Sequence, residues 1–390
     1  MNDHRHTSQR IAIVGGGIAG LSVAVRLAQA GLPVTVLEAS KLGAAASTRN
    51  QGWLHSGGLF AASHTEMAKL CHRSLVRTLR FCPDCIEPDN AGMAYLISQA
   101  DAPVATWTDA WAEAGIPYQE LPRQDLFNRF DGLAETEIQH AFLLPDRAIQ
   151  TDVLLAHLAA AAENHGAEIR SETSIVRMEH DEDSVRSVVT GSGEEIEARL
   201  VIFAGGASGL SLLSEFSHPK AGEQTGCELV ALKAHLVAVK PELGRMPFCV
   251  LDADGFNHLP HTPTSVFGIN RWLPVGNPTD QQPDPSEIEL LWNHVARFFP
   301  GFDAEQYECL HWAGTTVQAM HAEQIDPGRA PLPTVIDHAN ESPRIGNLVS
   351  VFPGRATLWV QLAEAACKVI LEKLGHALPD TAQPPWGHPE

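Results

Sequence analysis

Apolar positions recur along this chain with two different periods, and both appear in its opening segment. Arg10–Val14 is a short, mostly apolar run that ends in glycines, which predicts a parallel strand buried on both faces. Ala19–Ala30 places Leu21, Val25 and Leu27–Ala28 at helical spacing, and Gly31 stops the helix. Val34–Leu37 is the next apolar run and ends in Glu38. Further on, the pattern predicts helices over Glu66–Phe81, Gln150–His165, Pro285–Phe299 and Thr357–Leu374. Strands are expected over Glu168–Arg170, Ile175–Glu179, Glu195–Phe203, Leu229–Val239 and Leu348–Phe352. Asn257–Leu273 reads as a hairpin turning at Thr262-Pro263-Thr264. Gly43–Gly58, rich in Gly, Ala and Ser, has neither period and is a loop; Gly276–Asp284 is a surface loop.

The strand–helix–strand opening encloses Gly15-Gly16-Gly17-Ile18-Ala19-Gly20, a G-x-G-x-x-G placed where a strand ends and a helix begins. In that context Gly15 permits a sharp turn, Gly17 lets a diphosphate approach the backbone, and Gly20 allows close helix–strand packing. The helix N-terminus, from Ile18 and Ala19 onward, then offers N–H groups and partial positive charge to the phosphates. Glu38, about 20 residues further on, is placed to accept the ribose hydroxyls and disfavours a 2′-phosphate, leaving NAD or FAD. Without that context the same glycines would merely bend the chain.

Composition narrows the partners. The 390 residues are 44% apolar and 19% charged, a globular balance. A formal charge of −20 argues against duplex nucleic acid or an anionic lipid surface. Met1 to Arg10 is polar and His-rich, without the apolar core of a signal peptide, and no apolar run approaches the ~18 residues that span a bilayer. Seven cysteines without a regular framework suit a reducing compartment, so a cytoplasmic location is expected.

Further motifs follow in order. They are Glu38-Ala39, then Gly43-Ala44-Ala45-Ala46-Ser47-Thr48-Arg49-Asn50-Gln51-Gly52, and then Trp53-Leu54-His55-Ser56-Gly57-Gly58. Asp152 to Glu179, Ala204-Gly205-Gly206-Ala207-Ser208 and Phe352-Pro353-Gly354-Arg355-Ala356-Thr357 complete the set. In this order the chain resembles the D-amino-acid oxidase superfamily of flavoproteins, which includes glycine and sarcosine oxidases, glycerol-3-phosphate dehydrogenases and L-2-hydroxyglutarate dehydrogenases. The resemblance implies FAD as cofactor. Ser47 to Gly52 would run beside the diphosphate and flavin, the Ile175 backbone would meet adenine, and Ala204 to Gly206 would close over the diphosphate. Gly354 to Thr357 would form the loop under the flavin pyrimidine, with Arg355 stabilising the charge that collects there on reduction.

The implied fold is α/β: a Rossmann-like FAD-binding domain assembled from residues 8–65, 146–225 and 326–376, with an antiparallel-sheet substrate domain from 66–145 and 226–325 and a tail over 377–390. The implied chemistry is hydride transfer to flavin from a C–H beside a hydroxyl, in a small 2-hydroxy acid or polyol derivative, with oxygen or a quinone as electron acceptor. An alcohol must lose its proton as hydride leaves, and His55, an imidazole titrating near neutrality, is the candidate base; a structural histidine is its alternative. The amino-acid-oxidising branch usually carries an Arg in Trp-Ala-Gly-x-Arg-Pro, whereas this chain reads Trp312-Ala313-Gly314-Thr315-Thr316-Val317. An anion clamp then falls to Arg271 or Arg49, each with a structural alternative. Oxidation of an amine or D-amino acid through another anchor, and a flavin-binding subunit without independent turnover, are the competing readings.

The remaining candidates have milder readings. His258 and His261 on the hairpin, and Lys233 and His235 on the preceding strand, could face the cleft or serve the core. Trp272 and Trp312 could line a pocket or fill the core. Cys82-Pro83-Asp84-Cys85, with Cys71 and His72 upstream, could be a dithiol or packing; no metal site is expected. Cys309 is not expected to hold flavin covalently.

Overall fold

A run of four apolar residues without a polar face must be covered on both sides, and Ile11–Val14 is. In the computed structural model, which describes residues 9–88, 90–130, 132–214, 216, 227–321, 331–377 and 384–387, this strand is central in a six-stranded sheet. The order is Thr334–Asp337, Leu348–Phe352, Leu200–Phe203, Ile11–Val14, Val34–Leu37, Glu168–Arg170, parallel except for the first. One face carries the helices Ile18–Gln29, Thr151–Asn164 and Trp359–Leu374, whose apolar sides share one core with the strands. The other face is covered by a three-stranded antiparallel sheet, Ile175–His180, Val185–Thr190 and Glu195–Glu197, through Met178, Val185, Val188 and Ile196. An α/β fold with a doubly covered parallel sheet is therefore present.

The second sheet has nine strands and is antiparallel except where Phe248–Val250 meets Met93–Ile97. Its longest pairing runs Cys227–Lys240 against Glu308–His321 over fourteen residues each. The helix Pro285–Phe298 covers one face through Leu291, Val295 and Phe298.

Several boundaries differ from the pattern. Glu195–Phe203 is two strands in two sheets: the chain leaves the small antiparallel sheet after Glu197 and enters the parallel one at Leu200. The hairpin closes at Gly268, and Leu273–Pro274 turns away to pair with Leu232 and Lys233. Met93–Ile97, Val104–Ala114, His140–Leu144 and Glu308–His321 were not anticipated. The strands Met93–Ile97 and His140–Leu144 are short and largely buried, with no alternation to reveal them. The last begins with four exposed positions, 308 to 311.

The hairpin histidines hold the fold. His258 is buried between the Met246 carbonyl (3.1 Å) and Ser265 Oγ (2.8 Å), and burial brings its pKa down to about 3. His261 meets the Glu87 carboxylate through Nδ1 at 2.7 Å and the Gln51 carbonyl through Nε2 at 2.9 Å. Both partners are acceptors, so the ring needs both protons to satisfy them. Burial opposes the charge, but Glu87 and the Gln51 carbonyl outweigh it, and the pKa is raised. This clasp ties the loop before Trp53 to the large sheet, and Gly52 (φ +69°) is required there, because a Cβ would lie 2.7 Å from His261 Cε1.

A raised folded pKa means that the clasp stabilises fully below the unfolded value, ~6.5, and fades as pH climbs through the folded one. His261→Gln is therefore expected to lower the urea midpoint more at about pH 6 than at about pH 9. A deficit that is constant or grows with pH would contradict the clasp.

Candidate active site

The carboxyl ends of the parallel strands and the long antiparallel pair enclose a cleft partly open to solvent. Ligands of open α/β sheets lie at such strand ends. At one end the chain leaves Val14 through Gly15 at φ +114°, where a Cβ would sit 2.5 Å from the Ala204 carbonyl oxygen. A Cβ on Gly20 would lie 1.9 Å from the Gly15 carbonyl oxygen, so helix and turn touch. Gly17, the N-cap residue of Ile18–Gln29, makes no side-chain cap, and a Cβ on it would meet Ser47 Oγ alone. The Ile18 N–H donates to Ser47 Oγ at 3.0 Å. Glu38 accepts from the Gly16 N–H at 2.7 Å and the Ser40 N–H at 3.0 Å, which places its carboxylate beside the turn.

Gly17, Ile18, Ala19, Ser47, Arg49, Asn50, Gln51, Ala204, Gly206, Gly354, Arg355, Ala356 and Thr357 line the cleft together, as does His55. Gly15, Gly20, Glu38, Ala39, Thr48, Gly52 and Gly205 are not among the residues that line it. Ile175 lies off it, at the start of the small antiparallel sheet. A helix N-terminus whose N-cap residue carries no side chain, a glycine turn and an acid at the second strand's end suit a dinucleotide diphosphate and ribose. The same cleft is also lined by Gly354, Arg355, Ala356 and Thr357, so its residues suit FAD from the diphosphate to the flavin.

His55 lies at the far end. Its backbone N–H donates to Thr357 Oγ1 at 3.1 Å, which ties it to the turn that starts the Trp359–Leu374 helix. The imidazole stacks on Trp53 (centroids 4.1 Å, planes 26° apart) and tilts against Phe60 at 5.3 Å. It is buried, and its Nδ1 has no hydrogen-bond partner among the described residues. Burial, and then the Arg355 cation, hold its pKa well below the usual value. The expectation of a ring titrating near neutrality is thus corrected: His55 is neutral throughout the physiological range. Arg355 lies with its guanidinium 4.3 Å over the Phe60 ring, and burial lowers its pKa to about 10, so it remains a cation.

The anion-clamp candidates separate. Arg271 lies beyond the hairpin strand and off the cleft wall, half-exposed, with its Nε on the Glu287 carboxylate at 3.0 Å. Its assignment to substrate is therefore corrected: a carboxylate on the helix sixteen residues later already neutralises it. Lys233 is likewise held by Asp280 at 3.0 Å and Asp284 at 3.5 Å. Arg49 lines the cleft, exposed, without a carboxylate partner among the described residues. Its carbonyl is anchored by the Trp312 indole N–H at 3.0 Å. Thr316, which stands where the amino-acid-oxidising branch has Arg, also lines the cleft. His235 lines it too, accepting the Asp284 N–H at 3.1 Å, its pKa lowered by burial. Trp272 is on the wall. Cys82 and Cys85 are buried in the core beneath the parallel sheet's helices, and Cys309 is exposed.

Sequence reasoning missed Asp146, fully buried behind Trp53, which donates to its Oδ1 at 2.9 Å while the Tyr95 hydroxyl donates at 3.0 Å. Burial raises its pKa against the pull of these bonds and of Ser56. The one trace in the sequence is an acid inside the apolar stretch 141–149.

The family described as DAO, FAD dependent oxidoreductase, matches residues 10–348. The chain is 25% identical over 396 residues to the anaerobic glycerol-3-phosphate dehydrogenase subunit A1 of Haloferax volcanii, covering 94% of this chain and 64% of that protein's length. It is also 25% identical to a glycine oxidase of Pseudomonas aeruginosa over 322 residues, 79% of this chain and 82% of that one. Among solved structures, glycine oxidase from Bacillus cereus superposes with a TM-score of 0.70 at 21% identity, covering 95% and 99% of the two chains. Glycerol-3-phosphate dehydrogenase from Bacillus halodurans, complexed with FAD, gives 0.69 at 14%, covering 96% and 66%. These last two are likenesses of fold. Among the described residues no helix is long and apolar enough to cross a membrane.

Gly17→Ala places a methyl where the diphosphate backbone contact belongs, with no clash beyond Ser47. It is expected to weaken FAD binding by about tenfold or more in a flavin-fluorescence titration, with the apoprotein still folded. Unchanged affinity would contradict the placement. Matched by the family's model over residues 10–348, the chain belongs to the DAO family of FAD-dependent oxidoreductases.

Proposed function

We propose that this flavoenzyme oxidises the C–H beside the hydroxyl of a small anionic hydroxy compound, a 2-hydroxy acid or polyol derivative, with His55 accepting the hydroxyl proton. The observation that carries the reading is a neutral, buried imidazole on the cleft wall with an unengaged Nδ1. The chemistry that bound FAD supplies is acceptance of a hydride at its N5. An alcohol grows sharply more acidic as hydride departs, so a weak neutral base suffices at that moment, and the stacked rings around His55 exclude competing water. Arg49 is the cation offered to the substrate's anionic group, and Thr316 adds a hydroxyl on the same wall. The absence of Arg at Thr316 favours hydroxyl over amino-acid oxidation, as does the likeness to glycerol-3-phosphate dehydrogenase subunits. The three stretches 8–65, 146–225 and 326–376 are read as the cofactor domain, since they hold all six parallel-sheet strands, and 66–145 with 226–325 as the substrate domain. The helix Thr65–Phe81 packs with the cofactor half, and Trp386 of the tail is buried there.

His55→Ala should slow flavin reduction by ~10²–10⁴ with FAD still bound, and a loss below about threefold would remove the base. Because burial keeps the ring neutral, the wild-type reduction rate should be flat between about pH 6.5 and 8 and fall only at lower pH; a midpoint near 6.5 would contradict this. Arg49→Met should raise KM for the anionic substrate by about tenfold or more while leaving kcat nearly unchanged. An unaltered KM would place the anion elsewhere.

A further inference from the structure

A carboxylate removed from water is expensive unless its neighbours replace the solvent, and Asp146 is such a group directly behind the reacting end of the cleft. It precedes the two-residue strand Arg147–Ala148, which pairs antiparallel with Trp53–Leu54. That pairing brings the Asp146 carboxylate within 2.9 Å of the Trp53 indole nitrogen. The other groups facing it are the Tyr95 hydroxyl at 3.0 Å, Ser56, and Cys71 and His72 from the helix Thr65–Phe81, with Cys249 from the large sheet. The adjacent cation does not pair with it: Arg147 donates instead to the carbonyls of Pro145 (2.6 Å) and Asp146 (2.9 Å). Asp146 is not on the cleft wall, whereas Trp53 and His55 both are.

His55 needs something to set its plane. A catalytic imidazole is ordinarily oriented by a hydrogen bond at its second nitrogen. Here Nδ1 is buried without a partner among the described residues, so the stacked indole and Phe60 are what hold the ring. The indole is in turn held at its own N–H by a bond to a carboxylate, the charge-assisted kind that is shorter and more directional than a neutral one.

We infer that Asp146 is a positioning residue: by locking the Trp53 indole it fixes the plane of the His55 ring at the reacting end of the cleft, without touching substrate or cofactor. The importance of that plane for turnover rests on the reading of His55 as proton acceptor; the positioning itself does not.

The test uses the full-length, FAD-loaded protein with ¹³C-labelled histidine and no substrate. The His55 ring signals are assigned by their loss in His55→Gln, and the upfield displacement due to Trp53 is defined against Trp53→Leu. Asp146→Leu, close in size but unable to accept the indole N–H, is expected to abolish most of that displacement, while the His258 and His261 signals stay in place. Asp146→Asn, whose amide oxygen still accepts, should keep most of it. In a Trp53→Leu background Asp146→Leu should add no further change at His55, because the two act in series. A His55 signal untouched by Asp146→Leu would overturn the proposal, and so would a displacement of all three histidines together, which would mark Asp146 as a general core tie. Should Asp146→Leu fail to fold, Trp53→Phe decides: it keeps a stacked ring, loses the indole N–H, and must disturb His55 in the same way. Since no substrate is present, a His55→Ala enzyme of undiminished rate would dismiss the base and leave this result standing.

Discussion

The turn at the carboxyl end of Ile11–Val14 is the constraint on which the site depends. Gly15 is held against the Ala204 carbonyl and Gly20 against Gly15, while Glu38 accepts the Gly16 N–H, so three distant stretches of chain converge within one turn. Any side chain at Gly15 or Gly20 would drive these backbones apart. The helix from Ile18 follows with no cap from its own N-cap residue, Gly17, and its first N–H donates to Ser47 Oγ on the cleft wall. The parallel strands supply the convergence, since neighbouring strands all end on the same side of the sheet.

The cofactor turn and His55 are joined by the stretch from Gly43 to Gly58, a loop apart from the short strand Trp53–Leu54, and it is fastened at several points. Ser47 accepts from Ile18, Arg49 is held by Trp312, and Gln51 is held by His261, whose other nitrogen meets Glu87. Trp53 reaches Asp146, and His55 is tied to Thr357. Each fastening comes from a different element, so the loop's conformation is dictated by the fold around it. This is why a stretch without periodicity carries most of the candidate chemistry.

The opening strand–helix–strand was legible in the sequence because both periods and the glycine spacing are local properties. Glu195–Phe203 was misjoined because Ala198 and Arg199 do not interrupt its apolar character enough to reveal a change of sheet. Arg271 looked available because its partner, Glu287, meets it only after the chain turns into the next helix. The low pKa of His55 has no sequence signature, since its cause is the packing of Trp53, Phe60 and Arg355 around the ring. Asp146 was invisible for the same reason: what distinguishes it is burial beside an indole ninety-three residues away.

The proposed discrimination of a hydroxyl from an amine rests on His55 and on Thr316 in place of an Arg. Anaerobic reduction with matched pairs of compounds, each a hydroxy acid and the amino acid of identical carbon skeleton, tests it most directly. The oxidised flavin absorbance is expected to bleach with the hydroxy member of a pair and to persist with the amino member. Bleaching by the amino member alone would contradict it.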